Sequence, residues 1–137
     1  MERTNARYLD TLPESISLAT IDASFISLAL LLPALKNWFA SEAGQTIALI
    51  KPQFEAGRKA AAKHAGVIKD EAVHEQVIME TLQSAISLGF FPVGLIPSPI
   101  KGPKGNVEFL ADLRLTADAD RMDLNVMVQQ ALSATPD

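Results

Sequence analysis

Cysteine is absent from this chain, so neither a disulfide framework nor a thiolate metal site is open to it, a usage that fits a cytoplasmic protein. Histidine is scarce. Only His64 and His74 offer imidazole nitrogens, and nothing near them has metal-ligand spacing, so no metal is expected. The most apolar stretch, Phe25 to Leu35, is interrupted by Ser27 and Pro33 and falls short of the about 20 residues that a membrane-spanning helix needs. The opening Met-Glu-Arg-Thr-Asn-Ala-Arg has no apolar run behind its charges, unlike a signal peptide. Positive charge is also short: the net charge of −4 provides no overall footprint for nucleic acid, so any RNA contact must be local. No G-x-G-x-x-G and no Walker sequence occurs, which removes the usual nucleotide-binding loops.

What is present is one domain's worth of chain, residues 1–137, with 48% apolar residues and enough length for a core. Its organising stretch is Ile47-Ala48-Leu49-Ile50-Lys51-Pro52. Four apolar residues in a row read as a strand buried on both faces, the pattern of a parallel sheet covered by helices. Pro52 lacks a ladder donor and pushes Lys51 out of the helical region, so the strand stops at the lysine. Lys51 thus stands at the carboxyl end of a strand, where open α/β sheets bind ligands.

The other elements fall around it. A short helix is expected near Ala6 to Thr11, ended by Pro13, then an alternating strand Ser15–Ile21 that ends at Asp22. A helix over about Ser27–Ala40 follows, stopped by Gly44, then the strand 45–51 and a loop from Pro52 to Gly66 in which Arg58, Lys59 and Lys63 cluster. Asp70 caps a helix that runs to about Leu88, with His74 near its first turn as a partly exposed histidine. A strand over Phe90–Ile96, a turn-dense loop with Lys101 and Lys104, a strand over Val107–Leu113 and a helix over about Asp123–Leu132 complete the chain. The order β-α-β-α-β-β predicts a mostly parallel sheet with helices on both faces, the second half of a doubly wound fold. If the last strand is antiparallel to the rest, Glu108 at its start joins Asp22 and Lys51 at one rim. On its own, such a cluster reads first as a structural ion-pair group.

Three longer segments carry a resemblance. Asp22-Ala23-Ser24-Phe25-Ile26-Ser27-Leu28, Ile50-Lys51-Pro52-Gln53-Phe54-Glu55-Ala56-Gly57 and Ser98-Pro99-Ile100-Lys101-Gly102-Pro103-Lys104-Gly105-Asn106-Val107-Glu108-Phe109-Leu110 resemble the signatures of the TlyA family of FtsJ-like RNA 2′-O-methyltransferases, often labelled hemolysins. The opening Glu2–Arg7, with Asn5, is similar to the segment after that family's third strand. The resemblance implies the carboxyl-terminal half of a Rossmann-like methyltransferase that uses S-adenosylmethionine. The implied acceptor is a ribose 2′-hydroxyl of ribosomal RNA or of a ribosomal subunit.

Carried over by position, Asp22, Lys51 and Glu108 match three members of the family's Lys-Asp-Lys-Glu tetrad. The first lysine, the cofactor loop and the S4-type RNA-binding domain have no counterpart here. Asp22, Ser24, Phe25 and Asn5 are the expected donor-side contacts, and Phe25 is equally a core residue by type. Lys101, Lys104, Asn106 and Arg58 are the expected substrate-side contacts, with Asn106 also a turn-former. Partners expected are ribosomal RNA, a second copy of the chain or a missing amino-terminal half, and no membrane. The competing reading is a non-catalytic remnant that associates with a partner chain through its open sheet edge.

Overall fold

The computed structural model describes residues 2–24, 26–57, 66–116 and 123–135. Four strands, β1 (Leu18–Ile21), β2 (Gln45–Ile50), β3 (Phe91–Pro97) and β4 (Phe109–Arg114), form one sheet in the order β1-β2-β4-β3. β1 and β2 are parallel, and β4 pairs antiparallel with both β2 and β3. Three strands therefore run one way, and β4 is inserted against them. The helices are α1 (Leu28–Lys36), α2 (Pro52–Glu55), α3 (Glu71–Ser87) and α4 (Leu124–Ser133), with short 3-10 turns at Ala6–Tyr8 and Pro103–Gly105. No described helix is long and apolar enough to cross a membrane.

Local chemistry sets the helix ends. Ser27, Asp70 and Asp123 each accept a backbone N–H of the following turn, the ordinary work of an N-cap oxygen. Gly89, with φ of 91°, turns the chain out of α3 just past Leu88, about where the sequence ends that helix. Pro92 and Pro97 fall in β3, an edge strand, where a missing N–H is tolerated, and a register shift lies between Pro92 and Gly94.

Apolar stripes at helical spacing meet one face of the sheet. Leu28, Leu31, Leu32 and Leu35 of α1, Ile78, Leu82 and Ala85 of α3, and Val128 and Ala131 of α4 form one cluster with Ala48, Ile50, Phe109, Ala111 and Leu113. The other face is only half covered. Ile47, Leu49 and Leu110 are intermediate in exposure, and Leu18 and Ile96 are exposed. The expectation that the 47–50 run is buried on both faces thus holds for alternate residues: burial of the second face depends on cover from elsewhere, which four apolar letters do not report.

Several boundaries and roles differ from the sequence reading: β1 begins at Leu18 and not Ser15, the first helix is a 3-10 turn that ends at Tyr8, and β4 begins at Phe109 and not Val107. α1 ends at Lys36 and not near Ala40, because Trp38 donates its indole N–H to Leu9 O and Phe39 forms a bridge with Ile16. Gly44 packs against the Phe39 ring, where a Cβ would overlap it, so its role is close approach and not helix termination. Pro52 opens the short helix α2 at its first position, which suits its fixed φ, where a loop was expected. Truncation of the fully buried Leu82 tests the shared core: Leu82→Ala is expected to cost about 2–5 kcal/mol in urea denaturation, with folding retained.

Candidate active site

Lys51 is the residue between β2 and α2, extended at φ −114° and ψ 96° as a residue before proline must be. Its backbone is the N-cap of α2 and its side chain is 11% exposed, so the aliphatic stem is buried and the ammonium must find partners inside the site. It has two. Nζ lies 2.6 Å from Asp22 Oδ1, and it donates to Ser24 Oγ at 3.3 Å. Both come from the loop that leaves β1, and the parallel pairing of β1 with β2 brings that loop to the same rim. Asp22 itself is 68% exposed through its side chain, so the ion pair has one dry end and one wet end.

Glu108 reaches the rim from the other direction. The antiparallel register pairs Ile50 with Phe109, which places Lys51 and Glu108 one step beyond the ladder at the same end of the sheet. Glu108 is buried, and among the described residues its carboxylate partners Gln53 and not a cation: Gln53 Nε2 donates to Oε2 at 2.7 Å. Gly102 packs directly on this carboxylate, where a Cβ would overlap it.

A third carboxylate joins the two halves of the rim. Glu55, at the end of α2, accepts the Ser27 hydroxyl and the Leu28 N–H, both at 2.8 Å. An anion at the amino end of α1 is favoured by the helix dipole, and the contact ties the Asp22 loop to the Lys51 helix. Burial nonetheless raises the Glu55 pKa, against the opposing pull of the Leu28 and Ser27 hydrogen bonds.

The remaining predicted residues separate. Ser24 lies in the site. Phe25 and Arg58 fall outside the described residues. Asn5 is exposed and caps the Ala6–Tyr8 turn by accepting the Arg7 N–H. Asn106 is 2% exposed and satisfied by backbone: it accepts from Ile68 N and donates to Gly66 O and Pro103 O. That is the turn-forming role, one of the two the sequence allowed for Asn106, and it leaves the side chain buried among backbone partners. Lys101 and Lys104 are exposed on the loop that carries Gly102. His74 is buried, bonded through Nε2 to Ile68 O at 2.7 Å and set edge-on to Phe109, where a partly exposed residue was expected. Its position one turn before Ile78, on the apolar stripe of α3, was the available signal. Gln53 and Glu55 were unassigned in the sequence reading, although both stand within four residues of Lys51.

The FtsJ-like methyltransferase family profile matches residues 1–115. The chain is 39% identical over 142 residues to the 16S/23S rRNA (cytidine-2'-O)-methyltransferase TlyA of Mycobacterium tuberculosis, a match covering 99% of this chain and 52% of that protein. It is 43% identical over 116 residues to YqxC of Bacillus subtilis, named as a candidate rRNA methyltransferase, covering 82% of this chain and 41% of that one. The solved structure of a candidate hemolysin from Streptococcus thermophilus superposes with a TM-score of 0.84 at 40% identity, covering 97% of this chain and 48% of that one. The chain spans about half the length of the curated relatives it matches.

Two outcomes follow from the geometry. Because the folded chain holds the Glu55 proton more tightly than the unfolded chain, stability from this group is full below the ordinary carboxylate value and is lost as pH rises through the raised one. Urea midpoints measured against pH should show this falling slope in the native chain, and Glu55→Gln should remove it. Gly102→Ala should cost about 1–3 kcal/mol by forcing the Glu108 carboxylate aside, read in the same denaturation experiment.

Proposed function

The chain belongs to the FtsJ-like methyltransferase family, and we propose that it carries the acceptor side of an S-adenosylmethionine-dependent active site that methylates a ribose 2′-hydroxyl of ribosomal RNA. The observation that carries this reading is the 2.6 Å contact of Lys51 Nζ with Asp22 at the rim that Glu108 shares. The relative from M. tuberculosis is named for this reaction on cytidine. We assign residues 1–137 as one partial methyltransferase domain, acting in the cytoplasm on ribosomal RNA or a ribosomal subunit.

The donor set fits the cationic end of the cofactor. Asp22 offers an exposed carboxylate beside the Ser24 hydroxyl, a combination suited to a positive centre. When bound, S-adenosylmethionine supplies a methyl group on a sulfonium, open to attack by oxygen. Lys51 Nζ would accept the proton of the 2′-hydroxyl as the neutral amine left once its ammonium has released a proton to solvent at the exposed Asp22 end of the pair. Asp22, already in contact with Nζ, holds the ammonium so produced, and Glu108 orients the ribose. Lys101 and Lys104 serve the RNA backbone from the neighbouring loop.

A second reading, an association module, draws on the exposed Leu18 and Ile96 and the half-covered face between them. Here the chain completes its sheet against a partner polypeptide or a second copy. One assay separates the two. Transfer of labelled methyl groups to ribosomal RNA is expected for the native chain and is expected to fall about 100-fold or more in Lys51→Ala. Equal transfer by both removes Lys51 from the chemistry, and transfer that appears only after a polypeptide with a cofactor loop is added and is unchanged by Lys51→Ala favours the second reading.

A further inference from the structure

Gln53 is 5% exposed, two residues beyond Lys51 in the single turn of α2, and it caps nothing: that helix has no side-chain cap. Its Nε2 donates to Glu108 Oε2. A carboxylate only accepts, so this bond fixes which way the amide faces and turns Oε1 away from Glu108. Oε1 is buried and has no hydrogen-bond partner among the described residues. A buried acceptor without a partner is destabilising, and a thioether or aliphatic side chain of similar length would avoid that penalty. The glutamine therefore is not the choice that packing alone favours. Gly102 closes on the same carboxylate from the loop before β4, so Glu108 is held between an amide and a residue whose lack of a side chain makes room for it.

We propose that Gln53 is a positioning residue that clamps the Glu108 carboxylate in the orientation from which it meets the ribose. The proposal rests on the functional reading above and adds a residue to it. Gln53 touches neither reactant in this account and acts only through Glu108, by a charge-assisted hydrogen bond of the stronger kind.

The test uses the native chain, Gln53→Met and Gln53→Glu in the methyl-transfer assay, with side-chain amide spectra of the free protein. Gln53→Met is expected to lower kcat tenfold or more while KM for S-adenosylmethionine stays within twofold. Gln53→Glu is expected to be inactive at high pH and to recover as pH falls, since a protonated carboxyl at this position can donate to Glu108 as the amide does. In the free native chain the Gln53 amide protons should exchange slowly with solvent and move on Glu108→Gln. A kcat within twofold in Gln53→Met, or a Gln53→Glu pH profile parallel to the native one, overturns the role of Gln53 alone. Amide exchange as fast as that of the exposed Gln129 and Gln130 overturns it without any turnover measurement. No transfer by the native chain, alone or with an added polypeptide that carries a cofactor loop, overturns the functional reading itself, and with it this role.

Discussion

The antiparallel pairing of β4 with β2 sets Lys51 and Glu108 at one rim of the sheet. Side chains alternate along a strand, so a slip of one residue would exchange the Phe109 ring for the Glu108 carboxylate in the core. The observed register sets Phe109 against Ile50 in the dry layer and leaves Glu108 and Lys51 together just beyond it. Parallel pairing of β1 then delivers Asp22 to the same rim, and Pro52 ends β2 where the lysine must turn.

Buried charge is tolerated here because each group has a specific partner. Lys51 is matched by Asp22 and Ser24, Glu108 by Gln53, and Glu55 by the amino end of α1. Removing one member of such a pair leaves an uncompensated charge or a buried unpaired donor, which is far more costly than the net value of the pair. The rim thus gathers three separate polar groupings into one layer. Its members come from the loop after β1, the turn of α2 and the start of β4, so the sheet must be assembled before the layer exists. The Asn106 side chain braces the last of these segments by bonding backbone of the 66–68 loop.

Much of this was legible in the sequence, for physical reasons that differ by element. Asp70, Asp123 and Gly89 mark helix ends through local hydrogen bonds and backbone freedom, so α3 and α4 fall close to their expected bounds. The rim was legible in part: the proline after Lys51 ends that strand at the lysine, as Asp22 ends the one before it, but Glu108 joins them only because β4 runs antiparallel, which the sequence left as a condition. The length of α1 was not, because Trp38 and Phe39 are claimed by Leu9 and Ile16, contacts with no local signature. Gln53 was missed for the same reason: a glutamine beside a proline looks like surface until the strand register sets Glu108 against it. The half-covered second face of β2 likewise depends on what packs there, which an apolar run cannot state.

The central claim is that Asp22, Ser24 and Lys51 form the rim of a methyltransferase site at which donor and acceptor meet. Its most direct test is to follow the amide resonances of the chain while S-adenosylmethionine is added. The account predicts saturable changes at residues 22–24 and 51–54, weakened by Asp22→Asn, with the distant helix α4 unmoved. Saturating ligand that leaves these residues unchanged, or that shifts another part of the surface instead, would contradict it.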